Sequence, residues 1–386
     1  MEYKKLGHIA KIQTGPFGSQ LHQSDYKPTG IPCIMPCNIG SNLNIICDNI
    51  AYISEEDLNR LAKHKTQEGD IVYSRRGDIE KCAYISSRES GWLCGTGCLK
   101  VSIDSTIALP KYVAYLLSTP ESKAWLVGNA VGTTMLNLNT TVLSDFPICL
   151  PDLDTQKKVV EIIDSIADKI ELNKRINDNL EQQAQALYKS WFVDFEPFKD
   201  QEFVESEFGL IPEGWHCTTI SELLSIKYGK DHKKLAEGIV PVYGSGGLMR
   251  YVDTKLHEGE AVLIPRKGSL NNVMYVNEAF WTVDTMFYSI PKQEYSCIYA
   301  YLFLANKDLA SMNAGSAVPS MTTDILNNMH IIAPPVEVLK RFNNICDVYF
   351  SRINQNNIEN ANLSKQRDTL LPKLMSGELK INEIDC

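Results

Sequence analysis

The sequence predicts an α+β fold: two similar mixed α/β domains separated by two long helices that pair as an antiparallel coiled coil, with an internal pseudo-twofold repeat. Three observations predict it. The chain repeats itself at a slowly shrinking offset, each copy opens with short strands and Gly/Pro/Asn-rich turns, and each copy closes with one long heptad-patterned segment.

The repeat is direct. Leu6-x-x-Ile9-Ala10-x-Ile12-x-x-Gly15 returns as Ile220-x-x-Leu223-Leu224-x-Ile226-x-x-Gly229, an offset of 214. Glu68-Gly69-Asp70 returns as Glu258-Gly259-Glu260 at offset 190, followed in both copies by a short apolar strand and a basic turn. Gly128-x-Ala130-Val131 returns as Gly315-x-Ala317-Val318 at 187, and from Thr141 onward the offset stays at 183. Shrinking offsets mean that loops differ in length while the scaffold repeats. The reading divides the chain into a first domain (1–151), a central helical region (152–200), a second domain (201–335) and a C-terminal helical region (336–386).

Both helices are announced by prolines, Pro151 and Pro334-Pro335, a residue tolerated at helix starts. Steps of four and three in the first pass through Val159, Ile163, Ile166, Ile170, Asn173, Asn177, Leu180, Ala184, Leu187 and Trp191. At offset 183 the second gives Phe342, Cys346, Tyr349, Ile353, Asn356, Asn360, Leu363, Arg367, Leu370 and Leu374. This is a heptad seam, interrupted in both copies by asparagine at the same two steps. Such an amide costs stability but fixes register, because it needs a partner across the interface. Two such helices in one chain most simply pair with each other; the competing reading packs each on its own domain. The first helix starts with Pro151…Gln156, whereas the second carries Leu339 at the position of Gln156, which weakens one helix-end contact.

The 386 residues are long for one core, and 44% hydrophobic with 22% charged residues is ordinary for a globular protein. No apolar run reaches the roughly 18 residues of a membrane span, and Met1-Glu2-Tyr3-Lys4-Lys5 leads into no signal-peptide core. A cytoplasmic protein is expected, without membrane contact. Eleven cysteines without a secretion signal point to reduced thiols. Cys33/Cys37 and Cys94/Cys98 have a spacing that suits zinc, but no histidine flanks them at finger spacing, and the favoured reading is buried small hydrophobes.

The net charge of −9 averages over unlike regions. Residues 60–100 and 226–275 each carry eight Lys/Arg against five Asp/Glu, whereas Trp191 to Leu210 holds six acids against Lys199 alone. Basic segments inside an acidic chain suit a local DNA groove, with acidic surfaces left for other partners; the bland alternative is compositional noise.

Enzyme motifs are missing. No Asn/Asp-Pro-Pro-aromatic tetrapeptide is present to hold a flipped base, and the only glycine-dense loop, Gly244-Ser245-Gly246-Gly247, opens no convincing helix. There is no phosphate-cradling Gly-Lys-Ser/Thr loop, no His-Glu-x-x-His and no Gly-x-Ser-x-Gly. The seven histidines are dispersed; Asp70 and Asp78 with Glu80-Lys81 faintly suggest a metal nuclease site, but Glu80-Lys81 reads first as a solvated turn. No catalytic residue, metal ligand or cofactor is assigned to this chain.

Three segments resemble the specificity subunits of type I restriction-modification enzymes. Leu363-x-x-Gln366-Arg367-x-x-Leu370-Leu371-Pro372-Lys373-Leu374-Met375-Ser376-Gly377-Glu378-Leu379 is similar to the C-terminal signature of that family. Ala186-Leu187-Tyr188-Lys189-Ser190-Trp191-Phe192-Val193-Asp194-Phe195 resembles its central region, and Ile211-Pro212-Glu213-Gly214-Trp215 the start of its second recognition domain. The resemblance implies that each domain is a target-recognition domain reading one half of a split, asymmetric site in double-stranded DNA. It implies that the helices set the spacing and dock two methyltransferase subunits, and that restriction/translocase subunits complete the nuclease. S-adenosylmethionine, ATP and Mg would then belong to those partners. Two other classes stay open: a scaffold that binds protein through its helices and no longer reads DNA, and a stand-alone methyltransferase or nuclease of unfamiliar type. The apolar ends Trp191-Phe192-Val193 and Leu370-Leu371 suggest obligate partners, or else close the helices against the domains.

On that reading, the DNA contacts fall in polar or basic turns that recur in both halves. In the first they are Gln13-Thr14-Gly15-Pro16-Phe17-Gly18-Ser19, then Ser74-Arg75-Arg76, then Thr133-Thr134 with Asn137 and Asn139. In the second they are Tyr228-Gly229-Lys230, Tyr243-Gly244-Ser245-Gly246-Gly247, Arg266-Lys267-Gly268-Ser269 with Asn271-Asn272, and Ser320 with Thr322. Arginine suits guanine, asparagine suits adenine, and glycine lets backbone amides approach phosphate. The competing reading makes the glycines plain turn formers and the cations solvated loop charges.

Overall fold

The computed structural model describes residues 3–132, 136–312 and 320–379. The chain divides into two compact units, Met1–Leu172 with Glu359–Cys386, and Asn173–Ile358, so that each long helix contributes to both.

In the first unit the opening segment of the repeat forms the strand Ala10–Thr14. It pairs antiparallel with Cys98–Ile103, which pairs with Ile71–Ser74, which pairs with Cys82–Tyr84. A second sheet orders Ala51–Ile53, Ile31–Ile34 and Leu93–Cys94, the last two running parallel. In the second unit the equivalent strands form one six-stranded sheet: Leu224–Tyr228, Met286–Pro291, His257–Pro265, Met274–Thr282, Val240–Gly244 and Gly247–Val252. Five strands of these sheets correspond one to one. The two ends of the unbroken strand Met274–Thr282 match two separate strands of the first unit, Cys82–Tyr84 and Leu93–Cys94, and the loop 85–92 between them divides that sheet in two.

The central strands are apolar on both faces because both are covered, and so they read as continuous hydrophobic runs. Ile71, Val72 and Tyr73 are fully buried, as are Val262, Leu263 and Ile264. One covering helix in each unit recurs, Pro110–Leu117 and Ser296–Ala305. A short two-stranded ribbon closes each copy: Tyr3–Lys5 with Pro147–Cys149, and His216–Thr219 with His330–Ala333.

The long helices span Leu153–Phe192 and Val336–Ser376. Their antiparallel pairing is visible within each unit. In the first, Val159 and Ile163 pack in one cluster with Leu371 and Leu374, and Lys169 pairs with Glu359 at 3.4 Å. In the second, Asn356 Nδ2 donates to Asn177 Oδ1 at 2.7 Å, and Asn177 Nδ2 donates to Asn357 Oδ1 at 2.9 Å. Asn177 and Asn356 of the seam therefore meet amide to amide across the interface.

Three expectations need correction. The buried face is wider than the heptad seam: Tyr188, Phe350 and Leu371 are buried beside Leu187, Tyr349 and Leu370, which pack partly buried against the same clusters. The helices pack there on their domains as well as on each other, which widens the apolar stripe. Secondly, Trp191 and Phe192 do not wait for a partner. They lie in the core of the second unit, with ring centroids 5.7 and 4.8 Å from Phe342, and Phe192 lies 5.8 Å from Trp215. Val193 beside them is exposed. Thirdly, the helix-start asymmetry is an exchange of contact type. Gln156 is buried, its Oε1 accepts from Leu109 N and its Nε2 donates to Pro151 O, both at 2.8 Å, whereas Leu339 is wholly buried in apolar core.

Cys33, Cys94 and Cys98 are buried, and burial pushes the thiols of Cys33 and Cys94 up to about 12 and raises that of Cys98. Cys37 is exposed, so the small-hydrophobe reading does not extend to it. Among the described residues no group of three His, Cys, Asp or Glu side chains is placed to hold a metal. Asp70 is buried and structural: it accepts from Gln67 N at 2.8 Å and from Ser102 Oγ at 2.5 Å, with Lys100 at 3.7 Å. Among the described residues no helix is long and apolar enough to cross a membrane.

Candidate nucleic-acid interface

Each unit builds the same three-part face at one end of its sheet. The first part is a glycine turn. Strand Ala10–Thr14 ends at Gly15, whose N–H donates to Cys98 O at 2.9 Å; strand Leu224–Tyr228 ends at Gly229, whose N–H donates to Met286 O at 2.9 Å. A Cβ at Gly15 would lie 2.0 Å from Gly95 O, and one at Gly229 would lie 2.0 Å from Val283 O. Glycine is required at both by close approach of backbone, whatever else the turn does.

The second part is the basic turn. Arg75 N donates to Gly97 O at 2.8 Å and Arg266 N to Thr285 O at 2.9 Å. Each guanidinium lies over an aromatic ring: Arg75 Cζ is 5.6 Å from the centre of Phe17, and Arg266 Cζ is 5.4 Å from that of Tyr228. Both rings are 53% exposed. Stacked guanidinium–aromatic pairs of this kind hold the cation's plane. Among the described residues none of Arg75, Arg76, Arg266 or Lys267 pairs with a carboxylate, whereas Arg60, Arg88 and Arg367 do.

The third part is a strap that crosses the basic turn. Leu138 N donates to Arg75 O and Met321 N donates to Arg266 O, both at 2.9 Å. Bridges join Arg76 to Asn137 and Lys267 to Ser320. The strap runs straight into a short helix in each copy, capped by Asn139 accepting from Val142 N at 2.8 Å and by Thr322 accepting from Ile325 N at 3.2 Å.

The residues anticipated from sequence thus fall into two groups. Some hold the face together. Gln13 donates to Lys63 O, and Ser74 Oγ donates to Arg76 O at 3.0 Å. Asn271 donates to Asp308 and accepts from Ala310 N, while Asn272 donates to Ser245 O at 2.8 Å and so ties the glycine-rich hairpin to the basic turn. Tyr243 donates to Glu278 at 2.6 Å, and burial and that carboxylate hold its hydroxyl protonated well above the usual range. Asn139 and Thr322 belong here as caps, and half-buried Thr14 sits in strand register opposite Leu99. Others are presented outward: Phe17, Ser19, Arg76, Tyr228, Lys230, Gly246, Lys267 and Ser269 are exposed, with Arg75, Asn137, Ser245, Arg266 and Ser320 half-exposed. Thr133 and Thr134 lie outside the described residues.

Two features were not anticipated. The loops 95–97 and 283–285 floor the face: they crowd the glycine turn, and Gly97 and Thr285 take the N–H of the basic turn. Gly95-Thr96-Gly97 was a signal for the first, but its counterpart Val283-Asp284-Thr285 has no glycine, so the repeat does not reveal it. The hairpin beside the second face also leaves Leu248, Met249 and Tyr251 exposed.

The comparisons agree with this architecture. Residues 1–182 and 212–363 match the family described as type I restriction modification DNA specificity domain. The chain is 24% identical over 413 residues to a type I restriction enzyme specificity subunit of Methanocaldococcus jannaschii, covering 99% of this chain and 94% of that protein. It is 24% identical over 436 residues to a type I restriction enzyme specificity subunit of Haemophilus influenzae, covering 90% of this chain and 95% of that protein. Its fold is similar to the crystal structure of the S subunit of a type I restriction-modification system from M. genitalium, with TM-score 0.60, 17% identity, and coverage of 97% of this chain and 95% of that one.

Proposed function

Since the chain belongs to the type I restriction modification DNA specificity family, we propose that it is the sequence-specific DNA-reading subunit of a restriction-modification complex, each unit reading one half of a bipartite, asymmetric site. The observation that carries this is the face built twice: one backbone frame of glycine turn, basic turn and strap, carrying different side chains in each copy. A repeated frame fixes how each reader meets a duplex, and differing side chains make the two half-sites differ. Outward cations that pair with no carboxylate among the described residues supply the phosphate attraction, and acidic segments elsewhere in the chain keep that attraction local.

The remaining roles follow the same reading. The helix pair, whose amides fix its register, sets the spacing between half-sites and docks two methyltransferase subunits. Methyl transfer from S-adenosylmethionine belongs to those subunits, and ATP- and Mg-dependent cleavage to restriction/translocase subunits, so this chain acts without a catalytic residue of its own and works in the cytoplasm.

The test is methylation-sensitive sequencing of DNA from cells expressing this chain with a cognate methyltransferase subunit, beside cells lacking the chain. A split methylated motif that depends on the chain is expected. An active, chain-bound methyltransferase that yields no such motif would sink the proposal.

A further inference from the structure

We propose that Arg75 and Arg266 are the guanine readers of their units, each set by its aromatic partner (Phe17 and Tyr228), so that each half-site carries one guanine at the equivalent step. The inference rests on the DNA-reading role proposed above and goes further, to the base and to the residue.

Four observations support it. In the chain's own repeat, the stacked position is arginine in both copies, while the next position is Arg76 in one and Lys267 in the other. A phosphate contact tolerates either cation as a point charge, whereas a two-pronged contact to guanine O6 and N7 needs the planar fork of arginine. Next, the backbone of each stacked arginine is pinned on both sides: its N–H donates to the floor loop and its carbonyl accepts from the strap. Held in this way, a base reader keeps its register.

The free edges of the two guanidinium groups are also limited. Nε of Arg75 is buried without a hydrogen-bond partner, so only its Nη1/Nη2 end can meet a ligand. Nη1 of Arg266 donates to Asp284 O at 3.2 Å, and no described residue bonds its Nε/Nη2 edge. Each therefore offers one two-pronged edge, the shape that guanine presents in the major groove. Lastly, the partner rings are half exposed. An exposed ring beside the fork contributes little at a hydrated phosphate, but it can cover the methyl of a thymine neighbouring the guanine.

The aromatic comes from opposite sides of the glycine turn, Phe17 after Gly15 and Tyr228 before Gly229. Two different sequence routes therefore reach one arrangement, as a shared demand on the arginine would require.

The experiment uses the full chain with its methyltransferase subunit on a library of randomised duplexes, reading methylated positions by sequencing. The variants are Arg75→Ala, Arg75→Lys, Arg266→Ala and Arg266→Lys, with Lys267→Ala as the neighbouring cation. The wild-type motif is expected to hold a guanine in each half. Both Arg75 variants should cut discrimination for one of these guanines, and both Arg266 variants for the other, by roughly ten- to hundredfold. Lys267→Ala should weaken methylation evenly and flatten its salt dependence by about one unit of slope. Even weakening by the arginine variants with an intact motif, restored by lysine, would assign them to phosphate and overturn the inference while leaving the DNA-reading role in place. A wild-type motif lacking a guanine in either half would overturn it too. Absence of any chain-dependent motif would instead remove the reading beneath it. The lysine variants keep stem and charge, so they decide the matter where an alanine variant fails to fold.

Discussion

Gln156 and Leu339 occupy one position of the repeat and are stabilised by opposite means. Gln156 closes two half-buried hydrogen bonds at the start of its helix, so Gln156→Ala strands a half-buried N–H and a half-buried carbonyl. The expected cost is about 1–3 kcal/mol, read from a shift in denaturant midpoint at constant slope. An effect below about 0.5 kcal/mol would mean that water replaces the amide. The glycine turns give a second residue-level expectation. Gly15→Ala would drive a methyl group into Gly95 O, and the backbone must move to accept it. Overpacking of that kind costs about 1–3 kcal/mol and displaces Phe17 from Arg75, so loss of methylation in the first half-site should exceed the loss of stability. Unchanged methylation at that half would show that the turn is not part of the reading face.

The element scale is where the sequence was most legible. A heptad seam with asparagine at the same two steps is a pattern of side chains along one helix, and such patterns survive in one dimension. It gave the helices, their pairing and the demand for amides across the interface, which Asn177 and Asn356 meet. What it missed depends on a third body. Tyr188 joins Leu187 on the buried face because Tyr299, 5.6 Å away, belongs to the domain rather than to the facing helix. The guanidinium–aromatic pairs were hidden for a similar reason: Phe17 and Tyr228 sit at unequal offsets, and only the fold shows that they reach equivalent places. The seam can be tested directly. Asn356→Leu leaves Asn177 Oδ1 without its seam donor and should destabilise the protein by about 1–3 kcal/mol. Adding Asn177→Leu should recover most of that loss, since an apolar pair then replaces both seam amides. The double variant should also lose fixed register, seen as broadened cross-link products between the helices. A double variant as unstable as the single would show that the amides do more than match each other.

At the scale of the whole molecule, the repeat makes the chain two readers on one scaffold. The six-stranded order of the second unit and the divided order of the first are one topology, interrupted by the loop 85–92, and the faces they carry share a backbone frame. On this account function divides as the structure does: the frame and its stacked arginine are common, and the difference between the half-sites lies in the side chains that differ. The central claim is that each unit reads its own half-site independently. The most direct measurement is to exchange residues 201–335 for the same region of a relative that reads a different sequence, and to map methylated positions in cells carrying the exchanged chain and the original methyltransferase subunit. The account predicts a new motif in which one half changes to that of the donor while the other half and the spacing stay as they were. A motif altered in both halves, or unchanged in either, would contradict it.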